Sequence, residues 1–297
     1  MKRLILSFVL SLVFSFNFFA YDFSVKKDSH GKTIYYNITS APDAKIKTCE
    51  ITYSDCVIVD GEAKYNQNNE HYKGYISCEA KVSFQGVEYW VTGIGDHAFQ
   101  DTEIIEIDLL SSVISFFLGE EMVVNIGKDA FKNCTFLKQF IIQDNLSKKF
   151  GERAFENCTS LERVWLISNT PPTHTINNRI SSMVFHGCTN LNEFFIESLK
   201  PENFQMAEDA FDIQDGKIKC RLTVTPGNKV YFEDVQPWCL FSEIIEDEKV
   251  ECAIEDIQTR NQRLANSPTF DMTGKKTSSQ KKKGVYIVNG RKVMRKE

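Results

Sequence analysis

Few residue combinations in this 297-residue sequence are of a kind that performs chemistry. The segment VTGIGDHAF contains Gly93-x-Gly95-x-x-Ala98 after an apolar run, a spacing that can cradle a dinucleotide pyrophosphate. That fingerprint requires a helix directly afterwards and an acidic residue within a βαβ unit. Here the segment leads instead into a short coil that ends at Phe99 and recurs along the chain. We therefore predict that the protein binds no dinucleotide and has no other cofactor.

The other candidates for catalysis or metal binding lack the spacing that such sites need. The five histidines do not pair at the separations of zinc ligands on a helix, and no nucleophile lies in a signature such as G-x-S-x-G. The carboxylates favour a solvated face over an acid–base pair. The residues considered are His30, His71, His97, His174, His186, Glu103, Glu106, Glu120 and Glu121. We predict no catalytic residue, no metal site and no enzymatic activity.

The coil around Phe99 belongs to a motif that recurs five times. The units are centred on Phe99, Phe131, Phe155, Phe185 and Phe211, at spacings of 32, 24, 30 and 26 residues. An apolar residue precedes each Phe by five positions, and the three middle units share Cys at plus three, Leu at plus six and apolar residues at plus nine and plus eleven. The first unit fits if it lost one residue and the fifth if it gained two. Because one such unit cannot bury its apolar face alone, the units are expected to stack, with their strands forming a parallel sheet along a solenoid.

These units resemble the BspA-like leucine-rich repeats of bacterial surface proteins, whose units read roughly IG..AF..C..L..I..P. The resemblance covers about residues 90–225. It implies an α/β solenoid, a right-handed leucine-rich-repeat coil with a parallel β-sheet on one face, a β-rich N-terminal cap and an αβ C-terminal cap. The predicted organisation is a signal peptide at 1–20, the front cap at 21–90, five repeats at 91–225, the closing unit at 226–255 and a linker with tail at 256–297.

The first twenty residues predict export. Lys2 and Arg3 precede an uncharged run from 4 to 19, which is the pattern of a signal peptide and is short for a membrane span. Cleavage after Ala20 would leave a mature chain with no stable membrane span. Phe18 is a poor residue for that cleavage site, so an uncleaved anchor stays open as the alternative.

The C-terminal segment predicts a hairpin and, by resemblance, sorting. Asn289-Gly290 lies between two runs of alternating apolar residues, a strong signal for a two-residue hairpin. FDMTGKK followed by KGVYIVNGRKV resembles the end of the C-terminal sorting regions that direct Bacteroidota proteins through type IX secretion. The resemblance implies a secreted or cell-surface location. The alternative is an ordinary polar tail without a sorting role.

Charge excludes one class of partner. Residues 21–259 carry 22 basic and 38 acidic side chains, a net charge of −16, whereas the tail from 260 onwards is basic. An acidic body repels phosphate backbones, so we predict no nucleic-acid partner.

The nine cysteines fall into two groups. We interpret Cys134, Cys158 and Cys188, at the same repeat position, as a buried column of free thiols. The other six lie before and after the repeats, and the sequence leaves open whether they form disulfides. They are Cys49, Cys56, Cys78, Cys220, Cys239 and Cys252.

One feature of the repeats predicts a binding surface. The side chain at plus ten lies between two inward positions and therefore points outward. Across the units this column is Asp108, Ile141, Trp165, Phe195 and Thr223, and the middle three would form a contiguous apolar stripe. Its polar rim at plus eight is Gln139, Arg163 and Glu193. The alternative is that an insert, Ser168–Arg179, folds over the stripe and buries it.

Two functions follow as hypotheses. The first is an adhesin-like binding protein, whose ligand class the family resemblance implies: a protein or glycan on a host or neighbouring cell, bound through the strand face. The second is a structural component of the cell envelope or a biofilm that associates with itself. Binding that depends on Trp165 separates the two, because self-assembly needs no foreign ligand.

Overall fold

A computed structural model describes the cap, the repeats and the closing unit of the protein. The described residues are 21–26, 32–53, 56–59, 62–65, 72–109, 123–143, 147–167, 178–197 and 200–247, together with four short strands in the tail. The predicted signal peptide, residues 110–122, residues 168–177 of the insert Ser168–Arg179, and Cys252 lie outside the described residues.

Nearly all regular structure in the described residues is β-strand. The strands up to the first repeat are β1 Phe23–Lys26, β2 Thr33–Ile38, β3 Thr48–Thr52, β4 Cys56–Val59, β5 Glu62–Tyr65, β6 Lys73–Cys78, β7 Lys81–Phe84 and β8 Val87–Ile94. The next are β9 Glu103–Leu109, β10 Val123–Ile126, β11 Gln139–Gln143, β12 Ser147–Phe150, β13 Arg163–Ile167, β14 Asn178–Ile180, β15 Glu193–Ile196, β16 Phe204–Met206, β17 Ile213–Gln214, β18 Lys217–Val224 and β19 Phe241–Glu246. Described helix is limited to three 3₁₀ turns, Pro201–Asn203, Lys229–Tyr231 and Trp238–Leu240.

Each complete repeat contributes one strand to each of two sheets. The first sheet has the order β1-β2-β3-β8-β10-β12-β14-β16, with β7 also paired to β8, and the second has the order β17-β18-β15-β13-β11-β9-β6, with β19 also paired to β18. The strands of the repeats run parallel in both sheets. The fold is therefore a parallel β-solenoid of leucine-rich-repeat type, as predicted, and its first sheet is an addition to the single repeat sheet that the sequence predicted.

The strand register confirms the alignment of the repeats. Phe194 pairs with Leu222, so the fifth unit carries two extra residues before its strand. Gln139 pairs with Glu106, so the first unit is one residue short. Side chains at plus nine and plus eleven are buried in the core between the sheets. The sequence spacing therefore placed every repeat strand of the second sheet in its correct register.

A column of stacked phenylalanine rings forms the axis of the core. Neighbouring ring centroids lie 5.2, 4.8, 5.5 and 4.7 Å apart along Phe99, Phe131, Phe155, Phe185 and Phe211. The three central rings are at most 2% exposed. Because each ring contacts the rings of both neighbouring coils, burial in one repeat depends on the next.

The turns that carry the first four repeat Phe residues have left-handed backbone two residues before and two residues after the Phe. The residues before are His97, Asp129, Arg153 and Met183, and the residues after are Asp101, Asn133, Asn157 and Gly187, all with φ between 54° and 72°. Asn133 Nδ2 donates to Asp101 Oδ1 at 2.7 Å and Asn157 Nδ2 to Asn133 Oδ1 at 3.1 Å. A Cβ on Gly187 would lie 2.2 Å from Asn157 Oδ1, so a larger residue in the last of these turns would require the Asn157 side chain to move.

The cysteine column is buried, as predicted, and it links successive coils. The thiols of Cys134, Cys158 and Cys188 donate to the carbonyl oxygens of the Phe residues one coil earlier, at 2.9–3.0 Å. In the first unit Thr102 occupies the equivalent position, and its hydroxyl donates to Phe99 O at 2.6 Å. A small side chain with one donor therefore adds a hydrogen bond from the next coil to a carbonyl that already accepts from the backbone N–H three residues later.

Burial is expected to make these thiols unreactive. Desolvation raises the pKa of Cys134 to about 12 and raises that of Cys158 well above its usual value. Since the thiolate is the nucleophile, alkylation of Cys134 and Cys158 in the native protein at pH 8 should be at least about a hundredfold slower than in urea, and faster as the pH rises towards 12. Iodoacetamide labelling followed by peptide mass spectrometry measures this. Equal native and unfolded rates would contradict the buried column.

The caps close the two ends of the core. At the front, β1, β2 and β3 pair antiparallel, and β3 then runs parallel to β8. At the far end, β18 is followed by two 3₁₀ turns and by β19, which returns parallel to β18. Trp238 is 2% exposed and packs against Phe204 and Phe241. Cys49, Cys78, Cys220 and Cys239 are free thiols, which answers for these four the question that the sequence left open.

The tail forms a small sheet of its own. Its strands are β20 Thr269–Asp271, β21 Lys276–Thr277, β22 Gly284–Val288 and β23 Arg291–Arg295, in the order β21-β20-β22-β23. Val288 pairs with Arg291 across residues 289–290, so the predicted hairpin register is confirmed. Two further strands extend this hairpin, which the sequence did not predict.

Candidate functional site

The outward face of the second sheet brings together all six predicted site residues. Ile141, Trp165 and Phe195 pair in direct succession on β11, β13 and β15. Two residues earlier on the same strands, Gln139, Arg163 and Glu193 form the adjacent row. Parallel pairing in register places each row at right angles to the strands, with neighbours about 4.8 Å apart.

The apolar row is only partly open. Ile141 and Trp165 are half-buried, whereas Phe195 is 4% exposed. The sequence left open whether the stripe is exposed; at Phe195 it is not, since this ring is buried with Ile167 in a small outward cluster beside Ile141 and Trp165. The Phe195 ring packs edge-on against Trp165 at 6.2 Å, so the row shields itself. The predicted covering insert follows Ile167, and residues 168–177 of it lie outside the described part of the chain.

Glu193 fixes the orientation of the Trp165 indole. Trp165 Nε1 donates to Glu193 Oε2 at 3.2 Å, and the other carboxylate oxygen accepts from Arg221 Nη2 at 3.1 Å and from Thr223 Oγ1 at 3.2 Å. The Arg163 guanidinium lies 5.6 Å from the centre of the indole ring. The indole is therefore held by a hydrogen bond and a cation–π contact and needs little ordering on binding.

The polar row continues beyond the three residues that the sequence singled out. Glu106 accepts from Gln139 Nε2 at 3.0 Å on one side, and Arg221 pairs with Glu193 on the other. Both residues occupy the plus-eight position once the shorter first unit and the longer fifth unit are allowed for. Sequence reasoning missed them although the same repeat offsets pointed to them. This polar row therefore offers hydrogen-bond donors and acceptors to a polar ligand beside the apolar centre formed by Ile141 and Trp165.

The described residues give no metal-binding group of three or more His, Cys, Asp or Glu side chains. Within the same residues, helices of a length and apolar content sufficient to cross a membrane are absent. The candidate site is thus a surface patch built from an aromatic ring, an aliphatic neighbour and a hydrogen-bonded polar row.

The fold and the repeat pattern define the class as leucine-rich-repeat solenoids. Residues 92–216 match the family model of the BspA type leucine rich repeat region, in six copies. Over these residues the chain matches the BspA type of leucine-rich repeat, the resemblance that the sequence predicted. The family model counts six copies where the alignment on phenylalanine gives five units.

Two solved structures resemble the chain weakly. A leucine rich cell surface protein from Faecalibacterium prausnitzii A2-165 is 20% identical, with a TM-score of 0.35 and coverage of 76% of this chain and 55% of that one. A leucine-rich repeat protein from Bacteroides ovatus ATCC 8483 is 16% identical, with a TM-score of 0.24 and coverage of 77% and 78%. The match thus spans about half the length of the first protein. No curated protein matches the chain.

Proposed function

We propose that this protein acts at the bacterial cell surface and binds a protein or glycan of a host or neighbouring cell through the outward face of the second sheet. The observation that carries the proposal is the fixed, half-buried Trp165 at the centre of that face, beside Ile141. Tryptophan is among the residues most enriched at binding hot spots. The signal-like first twenty residues and the sorting-like tail support a surface location.

The contact would combine ring stacking with hydrogen bonding. The exposed part of the Trp165 ring offers an apolar platform to a sugar ring or to an apolar side chain. Gln139 and Arg163 flank this platform and offer donors to hydroxyl or carbonyl oxygens. Phe195, which is buried, supports the ring from the side without touching the ligand.

Replacement of Trp165 by serine should abolish most of the binding. Removal of a hot-spot tryptophan typically costs 2 kcal/mol or more, so we expect a loss of affinity of roughly 30-fold or greater. The purified protein and the variant would be tested against extracellular-matrix proteins, mucins and glycans, with folding checked by circular dichroism.

Trp90→Ser is the matched control for this experiment. Trp90 is also half-buried and also lies beside a cation, with Lys81 Nζ 4.3 Å from the ring centre, but it belongs to the first sheet. Its loss should change affinity less than about threefold if the site is on the second sheet. An equal loss in both variants would place the ligand elsewhere. No binding at micromolar concentration, with self-association instead, would favour the structural alternative.

A further inference from the structure

The two edge strands of the second sheet, β6 and β19, differ in whether a side chain covers their outer backbone groups. At the β6 edge, the Lys32 ammonium donates to the carbonyl oxygens of Lys73 and Tyr75. A lysine that occupies the acceptors of an edge strand is a common protection against pairing with another chain. At the opposite edge, β19 pairs with β18 on one side, and the described residues place no strand on its other side.

The open side of β19 presents a row of backbone groups. Asp247 N donates to Val224 O on β18, so the odd-numbered residues of β19 direct their N–H and C=O groups to β18. Ser242, Ile244 and Glu246 therefore direct theirs to the open side. A groove of about 570 Å³ is lined by all six residues of the strand together with Lys217, Lys229, Glu233 and Cys239. The sequence FSEIIE contains neither lysine nor proline, the residues that usually blunt such an edge.

We propose that β19 is a dimerisation strand, which pairs antiparallel with β19 of a second copy about a two-fold axis at Ile244. Two copies of β19 can pair symmetrically, with the outward faces of both sheets on the same side, if the two-fold axis passes through residue 243, 244 or 245. An axis at 243 would place Glu243 opposite its own copy, and one at 245 would place Glu243 opposite Asp247. Like charges directly opposite one another destabilise a sheet.

The axis at Ile244 avoids both conflicts. It places Ile244 opposite Ile244, Glu243 opposite Ile245 and Ser242 opposite Glu246. The N–H and C=O groups that Ser242, Ile244 and Glu246 direct to the open side then all form hydrogen bonds with the second copy. The strand is therefore complementary to itself in one register.

A second copy fits this edge better than head-to-tail growth of a fibre. Head-to-tail growth would need the β6 edge, whose carbonyls at Lys73 and Tyr75 already accept from Lys32. In the two-fold dimer the two eight-stranded sheets join edge to edge, with both outward faces on the same side. Two copies of the candidate site then face one direction, which allows bivalent attachment to a surface.

The decisive variants are Ile245→Glu and Ile245→Lys. Both variants remove the same half-buried, outward side chain. Ile245→Glu places a carboxylate opposite Glu243 of the other copy, whereas Ile245→Lys places a cation there. We expect sedimentation equilibrium of the full chain at about 1–300 µM, the affinity range of small interfaces, to show a reversible dimer. The glutamate variant should dimerise at least about tenfold more weakly than the lysine variant.

Cross-linking tests the register independently. In a background with Cys56, Cys239 and Cys252 changed to serine, Ile244→Cys should form a disulfide-linked dimer on mild oxidation, because residues opposite at the axis lie about 5.5 Å apart. Ser242→Cys should not. A monomer throughout the concentration range, equal weakening by both Ile245 variants, or equal cross-linking at 242 and 244 would overturn the proposal. Dimerisation is measured without ligand, so its failure leaves the proposed binding face untouched.

Discussion

Replacement of Phe155 by alanine is expected to lower the free energy of unfolding by about 3–5 kcal/mol. Phe155 is fully buried at the centre of the ring column, stacked on Phe131 at 4.8 Å and Phe185 at 5.5 Å. It also meets Phe140 edge-on at 4.8 Å. Loss of this ring leaves a cavity that three coils share, and the backbone turns on either side are tied to their neighbours and cannot collapse into it. Since a whole domain is typically stable by about 5–15 kcal/mol, the loss is a large part of the total.

Phe136→Ala is the matched control. Phe136 is the same residue type in the neighbouring repeat, but it is 54% exposed. Its loss should cost at most about 0.5 kcal/mol, because surface substitutions away from special features are nearly neutral. Urea titration of both variants, followed by circular dichroism, gives the two values. Similar small losses in both variants would mean that the ring column does not hold the coils together.

The ring column was predictable from the sequence because one residue type recurs there at every repeat. Phe, Leu and the apolar pair of the strand keep fixed spacings, so a five-fold repetition outweighs local ambiguity. The same fixed spacings predicted correctly that the first unit is shorter and the fifth unit longer. In the fifth unit, only an insertion of two residues aligns Leu222 with Phe194, and these two residues pair in the sheet.

The first sheet could not be predicted in the same way. Its repeat strands β10, β12, β14 and β16 are three or four residues long, and a single recurring apolar position marks each of them. Lys148 and Asn178, both 1% exposed, occupy inward positions on β12 and β14, so the alternation of apolar and polar residues is broken. A strand of this length without alternation gives no signal above that of a loop.

In the candidate site, too, the sequence predicted which side chains are neighbours but did not predict which of them are exposed. The repeat offsets placed Ile141, Trp165 and Phe195 side by side correctly. They could not show that Phe195 is buried, because its burial depends on Trp165 and Ile167 and on the packing outside the sheet. Repeat spacing determines which side chains are neighbours, whereas exposure depends on everything that packs above them.

The left-handed turns before Phe131 and Phe155 are joined by a buried ion pair that the sequence did not reveal. Asp129 is 2% exposed, and the Arg153 guanidinium of the next coil donates to both of its carboxylate oxygens, from Nε at 2.8 Å and from Nη2 at 3.0 Å. This bidentate contact raises the pKa of Arg153 above its usual value. Both residues have positive φ, at 54° and 57°. The pair therefore ties two strained turns together across neighbouring coils.

Arg153→Gln is expected to lower the free energy of unfolding by about 2–3 kcal/mol, because it leaves the Asp129 carboxylate buried without its main cation. The value lies below that of a fully buried pair because the Arg153 side chain is 26% exposed. Adding Asp129→Asn should restore most of the loss, since asparagine tolerates left-handed backbone and carries no charge. Lys73→Gln, which breaks the exposed Lys73–Glu103 pair, should cost under about 0.5 kcal/mol. Urea titration of the wild type, Arg153→Gln, the double variant and Lys73→Gln gives these free energies of unfolding. If adding Asp129→Asn to Arg153→Gln lowers the free energy of unfolding further instead of restoring it, the buried Asp129 charge is not the cause of the loss.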